Sequence, residues 1–396
     1  METIKRLLYT SLVDVSVPYG HGINERGFIK DMANRFGDHF KAVIPQPSKG
    51  IPDDLRKANI SYLNYSKSSR KPFGWLESRL TGCLRLQALI KEFQPDLIVI
   101  RPGALPLPQI FSMRRFNIPF VLKTAGTGSF EAFYRRNYLR RILSGISEYL
   151  LRNLLNQCVA VDVASLMQLQ SLTDLYPQVS DKAFVIDNGV DVAMFSTADG
   201  QRIRHRLNIS DTDIVIGYVG AFPMSRGGKE VVDLVHLLRR SMPVKGLIVG
   251  DSGEADQCRK YIDKSGLSDL ITATGQVEFE QVADFMSAMD IGLSILRPEK
   301  QHASEQKVRQ YLASGLCVVG TQGSNDFLKG YDFARVVSGI NISEITEAVL
   351  SLLKEGRPGL QKRAGQAKIF AQEALSIESK NNHRLNVWSQ CLAGMK

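Results

Sequence analysis

Long hydrophobic runs are missing from this 396-residue chain. Its apolar stretches have the length of short strands, far below the roughly 20 residues a membrane span needs. The N-terminus (METIKRLLYTSLVDV) reads as a buried first strand, because Asp14 and Pro18 cut it short of a signal peptide's architecture. Cysteine is scarce. Cys83, Cys158, Cys258, Cys317 and Cys391 are odd in number and scattered, with no CxxC pair. That pattern points to reduced thiols in a cytoplasmic protein and away from a zinc site. Low-complexity tracts and internal repeats are absent as well. Gly217-Tyr218-Val219-Gly220 lacks the GxGxxG spacing and no ribose-binding acid accompanies it, which disfavours an NAD-dependent enzyme. No DxD lies in a plausible site, since Asp211-Thr212-Asp213 merely precedes a strand, so no metal is implied.

What is present begins with length and charge. The chain is too long for one ordinary core, so two domains are expected. Residues 1–180 carry 24 Lys and Arg against 14 Asp and Glu, an excess of ten, whereas residues 181–396 are balanced at 26 each. The whole positive excess therefore lies in the first half, as expected of a domain facing an anionic partner. No nucleic-acid motif accompanies the charge, so nucleic acid is not the expected partner.

Both halves alternate short strands with amphipathic helices. Strands are expected at Arg6–Val13, Phe40–Ile44, Asp96–Ile100, Phe120–Lys123, Cys158–Val163 and Ala183–Ile186. In the second half they fall at Ile214–Val219, Gly246–Val249, Leu270–Thr274, Ile291–Ile295 and Leu316–Val319. Helices such as Ile23–Phe36, Gly74–Phe93, Phe130–Leu155 and Gly227–Arg240 lie between them. Alternation throughout predicts two doubly wound α/β domains of parallel sheet. The turn Asp187-Asn188-Gly189 marks the hinge, giving domains over 1–186 and 187–375. Two such domains facing each other would leave a cleft, a natural active site.

The densest signal lies between Met289 and Thr321. There an apolar run, a polar loop, a helix beginning near Ser304-Glu305 and a second apolar run form a βαβ unit. A helix start capped by Ser304 beside a strand's carboxyl end suits phosphate oxygens. The loop Gly220–Lys229 repeats this grammar, and Arg226 and Lys229 are both placed to meet a diphosphate; a solvated helix start is the plain alternative. Gly20 and Gly22, flanking His21 after the first strand, allow close backbone approach to a ligand, or simply a tight turn. The stretch Phe130–Arg152 sets Arg135, Arg136, Arg140 and Arg141 beside aromatic residues. Such a face suits an anionic inner-membrane surface, the alternative being a packed helix with solvated arginines.

These motifs occur in a telling order: VIDNGVDVAMF (Val185–Phe195), IGYVGAFPMSRGGKEVVDLVHLL (Ile216–Leu238), LIVGDSG (Leu247–Gly253), ATGQV (Ala273–Val277) and the Met289–Thr321 segment. Together they resemble the nucleotide-sugar domain of the retaining GT-B glycosyltransferases of family four, with SVPYGHGINERGF (Ser16–Phe28) a looser match to the acceptor domain. The resemblance implies a metal-independent retaining transferase without a cofactor. It would move a sugar from a UDP-sugar or GDP-sugar to a hydroxyl of a surface-glycan, lipopolysaccharide or lipid-linked acceptor, in the cytoplasm or peripherally on the inner membrane. It further implies that Gly275, Gln276 and Val277 contact the base, and that Ser304, Glu305 and Lys307 lie around the phosphates beside Gly220 and Arg226. Gln310 would reach the ribose. The C-terminal helix over 376–396 would cross back to the first domain. The chain departs from the pattern at Ala221, where relatives often have arginine, and at His302 and Gln310, where they often carry glutamates. Ala125 stands near a position where many relatives have histidine, and Lys123, Thr124 and the backbone of Gly126–Gly128 are the expected substitutes, with Lys123 the catalytic candidate. A sugar-nucleotide epimerase or phosphorylase of the same fold, or a non-catalytic sugar-nucleotide-binding partner subunit, are the alternatives.

Overall fold

The computed structural model describes residues 4–16, 20–63, 74–103, 105–124, 138–251, 253–297 and 305–394. The chain divides into two compact units, Met1–Gly189 with Lys380–Lys396, and Val190–Ser379.

The first unit is built on seven strands: β1 (Leu7–Ser11), β2 (Phe40–Pro45), β3 (Ile60–Leu63), β4 (Leu97–Arg101), β5 (Phe120–Thr124), β6 (Ala160–Val163) and β7 (Ala183–Val185). They form one sheet in the order β3-β2-β1-β4-β5-β6-β7, and every pair is parallel. The near-continuous apolar strands follow from burial on both faces. Leu8, Ile98, Ile100 and Leu122 point to one side, into a core shared with α2 (Gly74–Phe93), α3 (Leu107–Phe116) and α4 (Tyr138–Gln157). Leu7, Tyr9, Leu97 and Val99 point to the other, against Phe28, Ile29 and Met32 of α1 (Gly20–Phe36). Alternation with period two assigns each residue to its side. Strand β3 escaped the sequence reading because it is short, lies at the sheet edge and keeps only Leu63 buried.

The second unit has six strands: β8 (Ile214–Val219), β9 (Val244–Val249), β10 (Ile271–Ala273), β11 (Ile291–Ser294), β12 (Cys317–Thr321) and β13 (Ala334–Val337). Their order is β10-β9-β8-β11-β12-β13, again all parallel. Helices cover both faces, so this is a second doubly wound layer structure. On one face lie α9 (Gly228–Leu238), α10 (Ala255–Lys264) and α13 (Ile342–Leu353); on the other lie α11 (Val282–Ser287), α12 (Gln306–Ser314) and α14 (Gly356–Phe370). The shorter helices α5 (Leu166–Leu175), α6 (Val192–Ser196), α7 (Gly200–Arg206) and α8 (Pro223–Arg226) complete the connections.

The last helix, α15 (Ile377–Ala393), is part of the first unit from Lys380 onward. Trp388 is fully buried there and meets Phe28 edge-on at 6.3 Å between ring centroids. Arg384 binds the buried Asp162 at 2.6 Å and donates to the carbonyls of Ile186 and Asp187. Two sequence expectations shift by a few residues. Helix α1 begins at Gly20, so Gly20 and Gly22 lie inside its first turn and not in a loop ahead of it. The cap of α12 is Glu305, with extended backbone at φ −80° and ψ 102°, in place of Ser304, which lies outside the described residues.

Candidate active site

In an open parallel sheet the ligand crevice forms where the strand order reverses, outside the carboxyl ends. In the second unit that point lies between β8 and β11. Two segments leave the sheet there: the loop after β8, carrying Arg226, and the loop after β11, leading to Glu305 and Lys307.

The loop after β8 is held by its glycines. Gly250 has φ +102°, and a Cβ added to it would sit 2.4 Å from the carbonyl oxygen of Gly220. The backbone N–H of Gly220 donates to Val249, and that of Gly250 donates to Gly275 at 2.8 Å. The ends of β8, β9 and β10 are thus laced together through main chain. The single-turn helix α8 then delivers Arg226, and Met224 N–H is held by Glu254 Oε2 at 2.8 Å. Gly227 turns back at φ +125° against the Tyr218 ring, and α9 starts at Gly228 with no side-chain cap.

Arg226, Glu305 and Lys307 converge. Glu305 Oε1 accepts from Arg226 Nη1 at 3.1 Å, and Glu305 Oε2 lies 3.0 Å from Lys307 Nζ. Lys307 Nζ also reaches the carbonyl of Arg226 at 3.3 Å and stands 4.4 Å over the Tyr218 ring. The Arg226 guanidinium lies over Phe222 at 5.4 Å. Burial opposes the charge on Glu305, but Lys307 and Arg226 outweigh it and hold its carboxyl below the usual carboxylate range. Burial pulls Lys307 down, with Glu305 opposing. Two cations facing one carboxylate leave one uncompensated positive charge among these three side chains. This explains why Glu305 makes no capping bond on α12: its oxygens are engaged by the two cations.

The other predicted donor residues are spread around this core. Gln310 is buried on α12, one turn after Lys307. Gly275 has φ +70°, Gln276 is exposed, and Val277 packs partly against the core. Lys229 is not with Arg226. It bonds Asp233 Oδ2 at 2.6 Å, four residues along α9, and lies 5.4 Å from the Tyr261 ring. Together with Ser225, Glu230 and Arg297 it lines an open pocket of about 250 Å³. Helical spacing accounts for this, because an i,i+4 carboxylate is within constant reach.

In the first unit the reversal lies between β1 and β4, and a second group of charges sits at that end of the sheet. Glu25, fully buried on α1, accepts from Tyr9 Oη and meets Arg101 Nη1 at 3.0 Å and Lys123 Nζ at 2.8 Å. Burial, with Arg101 adding to it, lowers Lys123 to about 8 against the pull of Glu25. Lys123, expected beside the reacting sugar, is therefore engaged in a buried cluster and lies 5.2 Å from the Phe28 ring. Sequence reasoning missed Glu25, Arg101, Asp162 and Arg384. A charge set inside or directly after an apolar strand (LIVIR, AVDV) was the available signal, since such residues are rarely buried without partners. Arg135, Arg136, His302, Ala125 and Gly126–Gly128 lie outside the described residues, and Arg140 and Arg141 fall near the start of α4. Among the described residues, no three His, Cys, Asp or Glu side chains are grouped to hold a metal ion. No helix there is long and apolar enough to cross a membrane.

Comparison with known proteins matches two family models in tandem: Glycosyltransferase Family 4 over residues 39–194 and Glycosyl transferases group 1 over residues 199–369. The chain belongs to the group 1 GT-B glycosyltransferases. Among curated relatives, this transferase is 24% identical over 233 residues to 2-deoxystreptamine N-acetyl-D-glucosaminyltransferase of Streptomyces fradiae, a match over 55% of this chain and 52% of that protein. It is 22% identical over 310 residues to 2-deoxystreptamine glucosyltransferase of Streptomyces kanamyceticus, over 74% and 76% of the two chains. The match thus spans only about half the length of the first of these relatives. Among solved structures, HepE of Anabaena in complex with UDP and glucose superposes with a TM-score of 0.72 at 16% identity, covering 98% of this chain and 100% of that one. WaaG, a glycosyltransferase involved in lipopolysaccharide biosynthesis, gives 0.66 at 15% identity over 95% and 98%. At such identities these structures establish the transferase's fold of two Rossmann-like parallel-sheet domains.

Proposed function

We propose that the protein transfers a sugar from a nucleoside-diphosphate sugar to an acceptor hydroxyl, with the diphosphate held by Arg226 and Lys307. The observation that carries this reading is the meeting of Arg226, Glu305 and Lys307 at the β8–β11 reversal. Departure of a nucleoside diphosphate concentrates negative charge on its terminal phosphate, and fixed cations in a partly dry site stabilise that charge most effectively. The uncapped start of α9 adds main-chain N–H groups and the positive end of a helix dipole. Glu305 keeps the two cations in place and offsets one of their two charges until the diphosphate enters. Gln310, one turn along α12, serves the ribose, and the Gly275–Val277 edge serves the base through main-chain groups. Transfer proceeds with retention, the leaving phosphate taking the acceptor's proton, and without a metal.

The acceptor is a hydroxyl of a surface-glycan, lipopolysaccharide or lipid-linked glycan, and the enzyme works at the cytoplasmic face of a membrane. The positive excess of the first half and the WaaG likeness support this. The names of the curated relatives make 2-deoxystreptamine the second acceptor class to assay. The experiment is a thermal-shift panel of UDP, GDP and their sugars, followed by turnover with labelled donor and each acceptor class. A nucleotide should raise the melting temperature of the wild type but not of Arg226→Ala or Lys307→Ala. If no nucleotide shifts the wild type, or if both variants bind as it does, the donor-site assignment is wrong.

A further inference from the structure

We propose that the outer face of α2, α3 and α4 is a docking surface for an anionic lipid bilayer. Cross-contacts set the three helices side by side with α3 in the middle. A Cβ on Gly82 of α2 would lie 3.2 Å from Pro108 Cγ of α3, and Arg115 Nη1 bonds Gln87 Oε1 at 3.0 Å. On the other flank Leu105 N–H donates to Ser147 Oγ, and Arg114 Nη2 bonds Asn153 Oδ1 at 3.2 Å. Residue numbers rise together along all three helices, so the helices run parallel. Positions near 84, 111 and 150 therefore stand at one level.

Each helix already buries an apolar stripe: Leu86 and Ile90, Ile110 and Met113, Leu151 and Leu154 fill the core beneath. The fold requires nothing apolar on the opposite side. Yet Leu84 there is 73% exposed, Phe111 48% and Tyr149 61%, with Leu80 and Ile146 also exposed. Single exposed apolar residues are ordinary, but a band at one level across three adjacent helices is a surface awaiting a partner. Charge selects which partner. Arg85, Arg114, Arg115 and Arg152 are exposed on the same helices. The exposed carboxylates described there are Glu92, which lies 3.7 Å from Lys41, and Glu148, which lies 3.7 Å from Arg152. Apolar and aromatic side chains that enter the acyl boundary, ringed by guanidinium groups that meet phosphates, are what an anionic bilayer surface binds. The positive excess of the first 180 residues acts over a longer range in the same direction.

This surface deepens the reading of a membrane-side transferase and rests on it for its purpose. The two are tested by separate readouts on the same wild-type chain. Co-sedimentation with vesicles of equal parts phosphatidylglycerol and phosphatidylcholine should capture the protein, pure phosphatidylcholine should capture little, and salt should weaken the former. The double variant Leu84→Glu with Phe111→Glu should lower partitioning at least about tenfold, and Arg114→Glu with Arg115→Glu by roughly fivefold per arginine on the anionic vesicles. Unchanged melting curves show that the variants fold, and Leu350→Glu, on the exposed side of α13, should partition as wild type does. Binding equal on both lipids, or binding that survives the Leu84 and Phe111 changes, overturns the proposal. So does a wild-type dimer abolished by those changes, which would make the face an interface between copies. Thermal shift with UDP and GDP is read in parallel. A chain that binds nucleotide but no vesicles sinks only the lipid surface, and the reverse sinks only the donor site.

Discussion

Replacing Glu305 with glutamine separates two quantities that often move together, the stability of the free protein and its affinity for a diphosphate. Both carboxylate oxygens are engaged, one with Arg226 at 3.1 Å and one with Lys307 at 3.0 Å. A glutamine offers one carbonyl oxygen and turns its NH₂ toward the second cation. Lys307 is buried and already pulled down by burial, so removal of its counter-charge falls on it almost unscreened. Stripping one partner from a buried ion pair costs about 3–5 kcal/mol. Arg226 is more open to solvent, which screens its share, so the low end, about 3 kcal/mol, applies. For a unit of this size that is a fall of roughly 6–12 °C in melting temperature. The same change frees a full positive charge for an entering diphosphate. At an effective dielectric near twenty and a few ångströms, a small fraction of the Coulomb term already gives about tenfold tighter binding. The assay is a pair of melting curves, with and without saturating UDP or GDP, joined to titration calorimetry. A variant that melts with the wild type, or that binds nucleotide more weakly, would falsify the view of Glu305 as a resident counter-charge.

Three further outcomes follow from the same geometry. Arg226→Ala should reduce kcat/KM by about a hundredfold, the scale of one lost transition-state donor, whereas Lys229→Ala, committed to Asp233, should stay within about threefold; equal losses in steady-state kinetics would refute the division. Lys123 has a folded pKa lowered to about 8. The unfolded chain therefore holds more protons above that value, and stability should rise with pH from about 8 toward the ordinary lysine range near 10.4. Denaturant titrations of the wild type and Lys123→Met across that window should differ in slope, and parallel curves would count against the buried titration. Arg384→Ala strands Asp162 in the core, where burial alone raises its pKa, and should cost about 3–5 kcal/mol. Arg384→Lys should recover only part, because an ammonium does not reproduce the guanidinium fork that spans Asp162, Asn381 and two carbonyls.

Much of the fold was legible because parallel strands buried on both faces read as unbroken apolar runs. Ile214–Val219 and Gly74–Phe93 have the bounds their sequence suggested. Strands β3 (ISYL) and β13 (ARVV) did not stand out, since Ser61 and Arg335 interrupt runs of only four residues. In the site, Arg226 and Lys307 could be picked as cations at helix starts. Their meeting through Glu305 could not, because it depends on two loops 79 residues apart emerging side by side at the sheet's reversal. Lys229 looked equivalent to Arg226 on the page because spacing cannot say which of two neighbouring cations is claimed by an i,i+4 carboxylate. The charge at the end of LIVIR was a sign of a buried partner, but the Glu25 cluster could not be assembled from it: its members come from α1, β4 and β5, and only the sheet order makes them neighbours.

The first unit closes with Trp388 and Arg384 of α15, yet the whole of the second unit lies between those residues and Gly189 in the chain. On the ribosome the second unit is complete before the first receives its last helix. Until then Asp162 faces no arginine and Phe28 no tryptophan, so the earliest-made half of the protein is the last to become finished. A premature stop before Lys380 would leave the second unit whole and unmake the first, a lesion appearing at the opposite end of the polypeptide from its cause.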